Sequence, residues 1–163
     1  MATNNGTSHR ILVVDDEPTV CRAIKLLLQF DGHAVQTVPG GEAALDLLQQ
    51  DVFDLIITDF SMEGMKGDQL AAIIKQRWPG QPVIMATAFA ADVDAADQSS
   101  GGVDCVLSKP FTLTELREAI AWVMSRKAAP VATAASSAAL ADESKFRLPP
   151  MPPRESSSGR AWL

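Results

Sequence analysis

Apolar residues in this chain fall into short unbroken runs, separated by longer stretches where they recur every three or four positions. Ile11-Leu12-Val13-Val14 is one such run, and Leu55-Ile56-Ile57, framed by Asp54 and Asp59, is another. A strand with one wet face would alternate apolar and polar residues, so unbroken runs of this length predict strands buried on both faces. Pro18 suits the first position of a helix, where its missing N–H costs nothing. Val20, Ile24, Leu27 and Leu28 then repeat at helical spacing as far as Phe30, and Asp31-Gly32 ends the helix. His33 to Val38 is a weaker, partly polar strand suited to a sheet edge, followed by the turn Pro39-Gly40-Gly41 and an amphipathic helix from Glu42 to Gln50. Beyond the Asp59 strand, Gly64 and Gly67 break the chain, and a helix over Asp68–Trp78 is stopped by Pro79-Gly80. Pro82 to Thr87 is a strand ending on a hydroxyl. Ala88 to Ser100 is a poor, acidic, alanine-rich helix, and Val103 to Leu107 is a short strand. Thr112 to Lys127 is the last helix, with Thr112 and Glu115 spaced as a capping box.

Five strands alternating with five helices predict an α/β fold, a doubly wound five-stranded parallel sheet with helices on both faces and right-handed crossovers. The domain is expected over residues 9–128, after a flexible polar N-terminus, residues 1–8. Residues 129–163 change character. They are rich in Ala, Ser and Pro, cannot bury enough apolar surface to offset their ordering entropy, and are expected to form a disordered tail. Leu148-Pro149-Pro150-Met151-Pro152-Pro153 gives that tail local polyproline II character.

Charge narrows the function. The formal net charge is −6, and residues 1–128 hold 10 Lys and Arg against 17 Asp and Glu. An acidic domain argues against direct nucleic-acid binding, which is driven by phosphate neutralisation. No apolar run approaches membrane-spanning length, and the first ten residues lack the apolar region of a signal peptide. Cys21 and Cys105 have no metal-type spacing and no disulfide-rich context, so a cytoplasmic protein with no membrane association is expected.

In an open parallel sheet, chemistry sits outside the carboxyl ends of the strands. Those ends bring Asp15 and Asp16 from the first strand, Asp59 from the third, Thr87 from the fourth and Lys109 from the fifth. Converging carboxylates repel one another unless a cation joins them, and Mg²⁺ fits a set of hard oxygens because it uses one or two carboxylates and keeps several waters. Lys109 is a compact point charge suited to a phosphate. A carboxylate nucleophile, Mg²⁺, an ammonium and a hydroxyl together describe a site that forms and holds an acyl phosphate.

These features resemble the receiver domain of two-component response regulators: Asp15-Asp16 after an apolar strand, a strand ending in Asp59, Thr87-Ala88, and Lys109-Pro110-Phe111, at matching spacing. The resemblance covers about residues 9–128. It implies the flavodoxin-like strand order 2-1-3-4-5. Asp59 is then the phosphoacceptor, facing a phosphohistidine on a histidine kinase or histidine phosphotransfer protein. Asp16 and Asp59 ligate Mg²⁺, with the backbone carbonyl of Ser61 as a further ligand and Asp15 acting through water. Thr87 donates to one phosphoryl oxygen and Lys109 pairs with another, and the Lys109–Pro110 peptide is cis. Three positions set the chain apart within the family. Val106 stands where most members carry an aromatic that swings inward when the Thr hydroxyl moves, and valine cannot make that swing. Glu63 replaces a common proline in the loop after the phosphoacceptor. Ser61 and Phe89 occupy the two variable positions that tune hydrolysis of the acyl phosphate, and Phe89 is expected to shield the phosphoryl group from water.

The resemblance thus implies a phosphoacceptor signalling protein rather than an enzyme: a single-domain response regulator that relays its state to a downstream protein by contact. Two alternatives stay open. One is a degenerate receiver serving as a phosphorylation-independent interaction module or a phosphate sink, to which Val106 points. The other is a hydrolase of similar architecture with an Asp nucleophile, against which Ser61 stands where such phosphatases place a second Asp.

Overall fold

The computed structural model describes residues 7–88, 102–128 and 146–147. The two longest apolar runs become β1 (Arg10–Val14) and β3 (Leu55–Asp59), and every residue of β4 (Val83–Thr87) is buried. The partly polar strand β2 (Ala34–Val38) lies at one edge, beside β1. β5 (Cys105–Ser108) follows β4. These five strands are parallel, as the alternation of strand and helix implies, and stand in the order 2-1-3-4-5 that the family resemblance implies.

Because side chains alternate along a strand, each strand feeds two core layers. Ile11, Val13, Ile57, Ile84 and Leu107 point to one face and pack under α1 (Pro18–Phe30) and the last helix, α4 (Leu113–Ala128). Leu12, Val14, Ile56, Met85 and Val106 point to the other, under α2 (Gly41–Gln50) and α3 (Gly67–Arg77). Each fully buried Ile or Leu contributes roughly 1.5–3 kcal/mol relative to an exposed one, so both layers are needed to hold the strand ends in register.

Local signals set the helix ends. Pro18 opens α1 and Gly32, at φ 88°, turns the chain after it. Thr112 and Glu115 form the expected capping box: the backbone N–H of Thr112 donates to Glu115 Oε2 at 2.7 Å, and that of Glu115 donates to Thr112 Oγ1 at 3.2 Å. β5 starts at Cys105 rather than Val103. Asp104 is taken up elsewhere, its carboxylate accepting from Lys75 Nζ at 2.6 Å and from the backbone N–H of Val83 at 2.7 Å.

The helix expected over residues 88–100 lies outside the described residues except for its first, as do residues 1–6 of the N-terminus and nearly all of 129–163. Two residues of that last stretch form a strand that no pattern in the residues announces. β6 (Phe146–Arg147) pairs antiparallel with β5 and makes the sheet six-stranded. Among the described residues, no helix is long and apolar enough to cross a membrane.

Candidate functional site

The register of the sheet brings the polar residues together. Val14 pairs with Thr58, so the next residues, Asp15 and Asp59, stand level at the carboxyl ends of β1 and β3. Asp59 pairs with Ala86 and Thr87 with Ser108, which draws the ends of β4 and β5 to the same edge. The backbone N–H of Lys109 donates to the Thr87 carbonyl at 2.7 Å, so Lys109 is fixed directly to the end of β4. The Lys109–Pro110 peptide is cis, as expected.

At the centre is the ammonium of Lys109, 2.8 Å from Asp15 Oδ2 and 2.9 Å from Asp59 Oδ1. Asp15 is buried at 4% exposure, and only 11% of the Asp59 side chain is exposed. Burial alone would push the Lys109 pKa down. Hydrogen bonds and charge from Asp15 and Asp59 outweigh it and hold the group above the usual lysine value. The other oxygen of Asp15 accepts from the backbone N–H of Glu17 at 2.9 Å, which orients the carboxylate at the start of α1. Thr87 is buried at the end of β4.

Asp16 is held differently. Its Oδ2 accepts from the backbone N–H of Glu63 at 2.8 Å. Proline has no N–H, so this bond exists because residue 63 is not the family's common proline. Ser61 follows β3 in the same loop and is exposed. Phe89 lies outside the described residues. Val106 is buried in the core layer with Met85 and Leu12.

Two groups that sequence reasoning did not assign also shape the site. Gly67 reads in the sequence as a breaker, yet a Cβ built on it would lie 2.1 Å from the carbonyl oxygen of Asp59 and 3.0 Å from Phe60 Cα. The loop from Phe60 closes there, with the Gly67 N–H donating to the Phe60 carbonyl at 2.9 Å. On the other side of Asp15, the Cys21 thiol donates to its backbone carbonyl at 3.3 Å. Burial and the nearby Asp15 charge raise the Cys21 pKa, which favours the neutral thiol as a packing group. Only the Asp59–Gly67 spacing, eight residues along a loop, could have hinted at the first contact.

Chemically, the edge offers three carboxylates and one ammonium. Hard oxygen donors of this kind suit Mg²⁺, which needs one or two carboxylates and completes its shell with carbonyl oxygen and water. Among the described residues, no three Asp, Glu, His or Cys side chains gather closely enough to hold a metal by themselves. The carboxylate oxygens at this edge are of the donor type that Mg²⁺ accepts.

Residues 11–121 match the family described as the response regulator receiver domain. The chain belongs to that family. The receiver is 35% identical over 112 residues to the response regulator protein FleR of Pseudomonas aeruginosa, covering 69% of this chain and 24% of FleR. It is 39% identical over 115 residues to the heme response regulator HssR of Staphylococcus aureus, covering 71% of this chain and 51% of HssR. The receiver thus spans from about a quarter to about half of the length of these curated relatives. Among solved structures it is similar to TrrA of Thermotoga maritima in complex with Mg²⁺ and BeF, at 34% identity and TM-score 0.65, covering 70% of this chain and 97% of that one.

Proposed function

We propose that this receiver accepts a phosphoryl group on Asp59 from the phosphohistidine of a kinase or phosphotransfer protein and passes the signal on by protein contact. A carboxylate oxygen of Asp59 attacks phosphorus. The bond between phosphorus and the donor's histidine nitrogen breaks, the nitrogen leaves with the electron pair, and an acyl phosphate forms on Asp59. The observation that carries the reading is the Lys109 ammonium 2.9 Å from Asp59 Oδ1, a preset positive charge where phosphoryl charge will arrive. Lys109 then pairs with a phosphoryl oxygen, and the Thr87 hydroxyl donates to another. Asp15 keeps Lys109 at the site, through the 2.8 Å contact, while its partner carboxylate reacts.

Mg²⁺ would be held by Asp16, Asp59 and the Ser61 carbonyl, with Asp15 acting through water. When bound, it supplies positive charge to the phosphoryl oxygens. The test is incubation with acetyl phosphate and Mg²⁺. Intact-mass measurement should show a gain of one phosphoryl group that hydroxylamine removes, and no gain contradicts the reading.

Val106 favours a second reading, an interaction module that works without phosphorylation. Buried among Leu12 and Met85 in the core, it has no ring to swing when Thr87 moves. A partner captured equally well with and without beryllofluoride would favour that reading.

A further inference from the structure

The amino ends of β4 and β5 border a cavity of about 550 Å³, at the opposite edge of the sheet from Asp59. Pro82 and Val103 lie just before the two strands, Pro79 follows α3, and Trp122 and Val123 come from the second half of α4. These five residues give the cavity apolar walls, with the Trp122 ring half-buried. A size and lining of this kind suit a preformed small-ligand site, in which a few polar groups fix orientation.

The polar groups fall into two sets. Lys75 and Asp104 serve the fold. Lys75 Nζ donates to Asp104 Oδ2 at 2.6 Å and to the Gln81 carbonyl at 2.7 Å, and Asp104 Oδ2 also accepts from the Val83 N–H. Those bonds tie α3 to the starts of β4 and β5 and fix the floor of the cavity. Arg126 and Lys127 are placed differently. Both are exposed, and among the described residues neither has a carboxylate partner. Lys127 Nζ donates to the Asp54 carbonyl at 3.3 Å, and the Arg126 guanidinium lies 4.7 Å from the centre of the Trp122 ring. Their position in the last turn of α4 suits the helix dipole. The dipole does not account for the ring under Arg126 or for the cavity beside it. In a domain whose acidic side chains outnumber its basic ones, two cations without counter-charge at one mouth mark a place for an anion.

We propose that this cavity binds a small aromatic carboxylate, with its ring against Trp122 and the apolar walls and its carboxylate on Arg126 and Lys127. Stacking on Trp122 already restricts the guanidinium, so less freedom is lost when it takes the carboxylate. Asp104 in the same lining disfavours a phosphate dianion and favours the single charge of a carboxylate. Binding here needs no chemistry at Asp59 and is tested separately from it.

The experiment titrates the full chain, isotopically labelled for NMR, with naphthoate and follows the amides of Val103 and Asp104 and the indole N–H of Trp122. These signals should shift saturably, with half-saturation below about 1 mM. Naphthalenemethanol keeps the ring and lacks the charge, and acetate keeps the charge and lacks the ring. Both, and inorganic phosphate, should bind about tenfold or more weakly. Arg126→Gln should weaken naphthoate binding about tenfold or more while the protein stays folded by circular dichroism, and Lys127→Gln on the same rim should weaken it too. No saturable shift by about 1 mM, or shifts centred away from Val103, Asp104 and Trp122, overturns the site. Equal binding of any of the three control compounds overturns the ligand class. Unchanged affinity in both Arg126→Gln and Lys127→Gln overturns the role of the cations.

Discussion

Lys109 Nζ lies 2.9 Å from Asp59 Oδ1, so the cation from the end of β5 already grips the carboxylate from the end of β3. The same ammonium is 2.8 Å from Asp15, which makes it the only described Lys or Arg side chain in salt-bridge contact with two carboxylates. Only 21% of its side chain is exposed, so solvent screens it weakly.

Replacing it should therefore cost both stability and chemistry. Lys109→Met leaves Asp15 and Asp59 facing each other with no cation and should lower stability by roughly 1–3 kcal/mol in metal-free buffer. Mg²⁺ should recover more stability in the variant than in wild type, because it replaces the missing charge. Thermal unfolding with and without Mg²⁺ checks this. Phosphoryl uptake should fall about 10²-fold.

The Glu63 N–H already occupies Asp16 Oδ2, which the proposed Mg²⁺ site would also use. Glu63→Pro removes that donor, and one such bond is worth about 0.5–1.5 kcal/mol net. The variant should therefore bind Mg²⁺ several-fold more tightly by isothermal titration calorimetry. Unchanged or weaker binding would show that the loop bond does not hold the carboxylate back.

Gly67→Ala should disturb Asp59 through the backbone. The added carbon would meet the Asp59 carbonyl at 2.1 Å, and backbone cannot step aside as a flexible side chain can. Overpacking of this kind costs about 1–3 kcal/mol. Urea unfolding should report the loss, and the rate of phosphoryl uptake should drop with it.

His33 sets an acid limit. Its Nδ1 accepts from the His9 N–H at 3.2 Å and its ring stacks on His9. Burial, then the His9 charge, lowers its pKa below the usual 6.5, with Asp31 opposing. Below the unfolded pKa the unfolded chain takes up this proton more readily than the folded one. Its contribution to stability is therefore full above 6.5 and is lost as pH falls through the lowered value. His33→Asn keeps an acceptor and removes the titration. Its urea midpoint should fall less than that of wild type between about pH 7.5 and about pH 5.

Much of this was legible in the residues. Unbroken runs such as Ile11–Val14 read as two-sided strands, and the order of strands and helices left few topologies. The site followed because Asp15, Asp16, Asp59, Thr87 and Lys109 each sit at the end of such a run. What the residues could not give was pairing. Lys109 reads as a phosphate partner, yet it spans two carboxylates. Asp16 reads as a metal ligand, yet it leans on a backbone N–H that depends on the identity of residue 63. Gly67 against Asp59 and Phe146–Arg147 against β5 are contacts between distant or loop-separated segments, with no periodic signal to announce them.

Asp59 alone should take up the phosphoryl group. The direct measurement is transfer of labelled phosphate from a phosphohistidine donor, in the presence of Mg²⁺, to wild type and to Asp59→Asn. Wild type should carry stoichiometric label and the variant none, with both proteins equally folded by circular dichroism. Label retained by Asp59→Asn would contradict it.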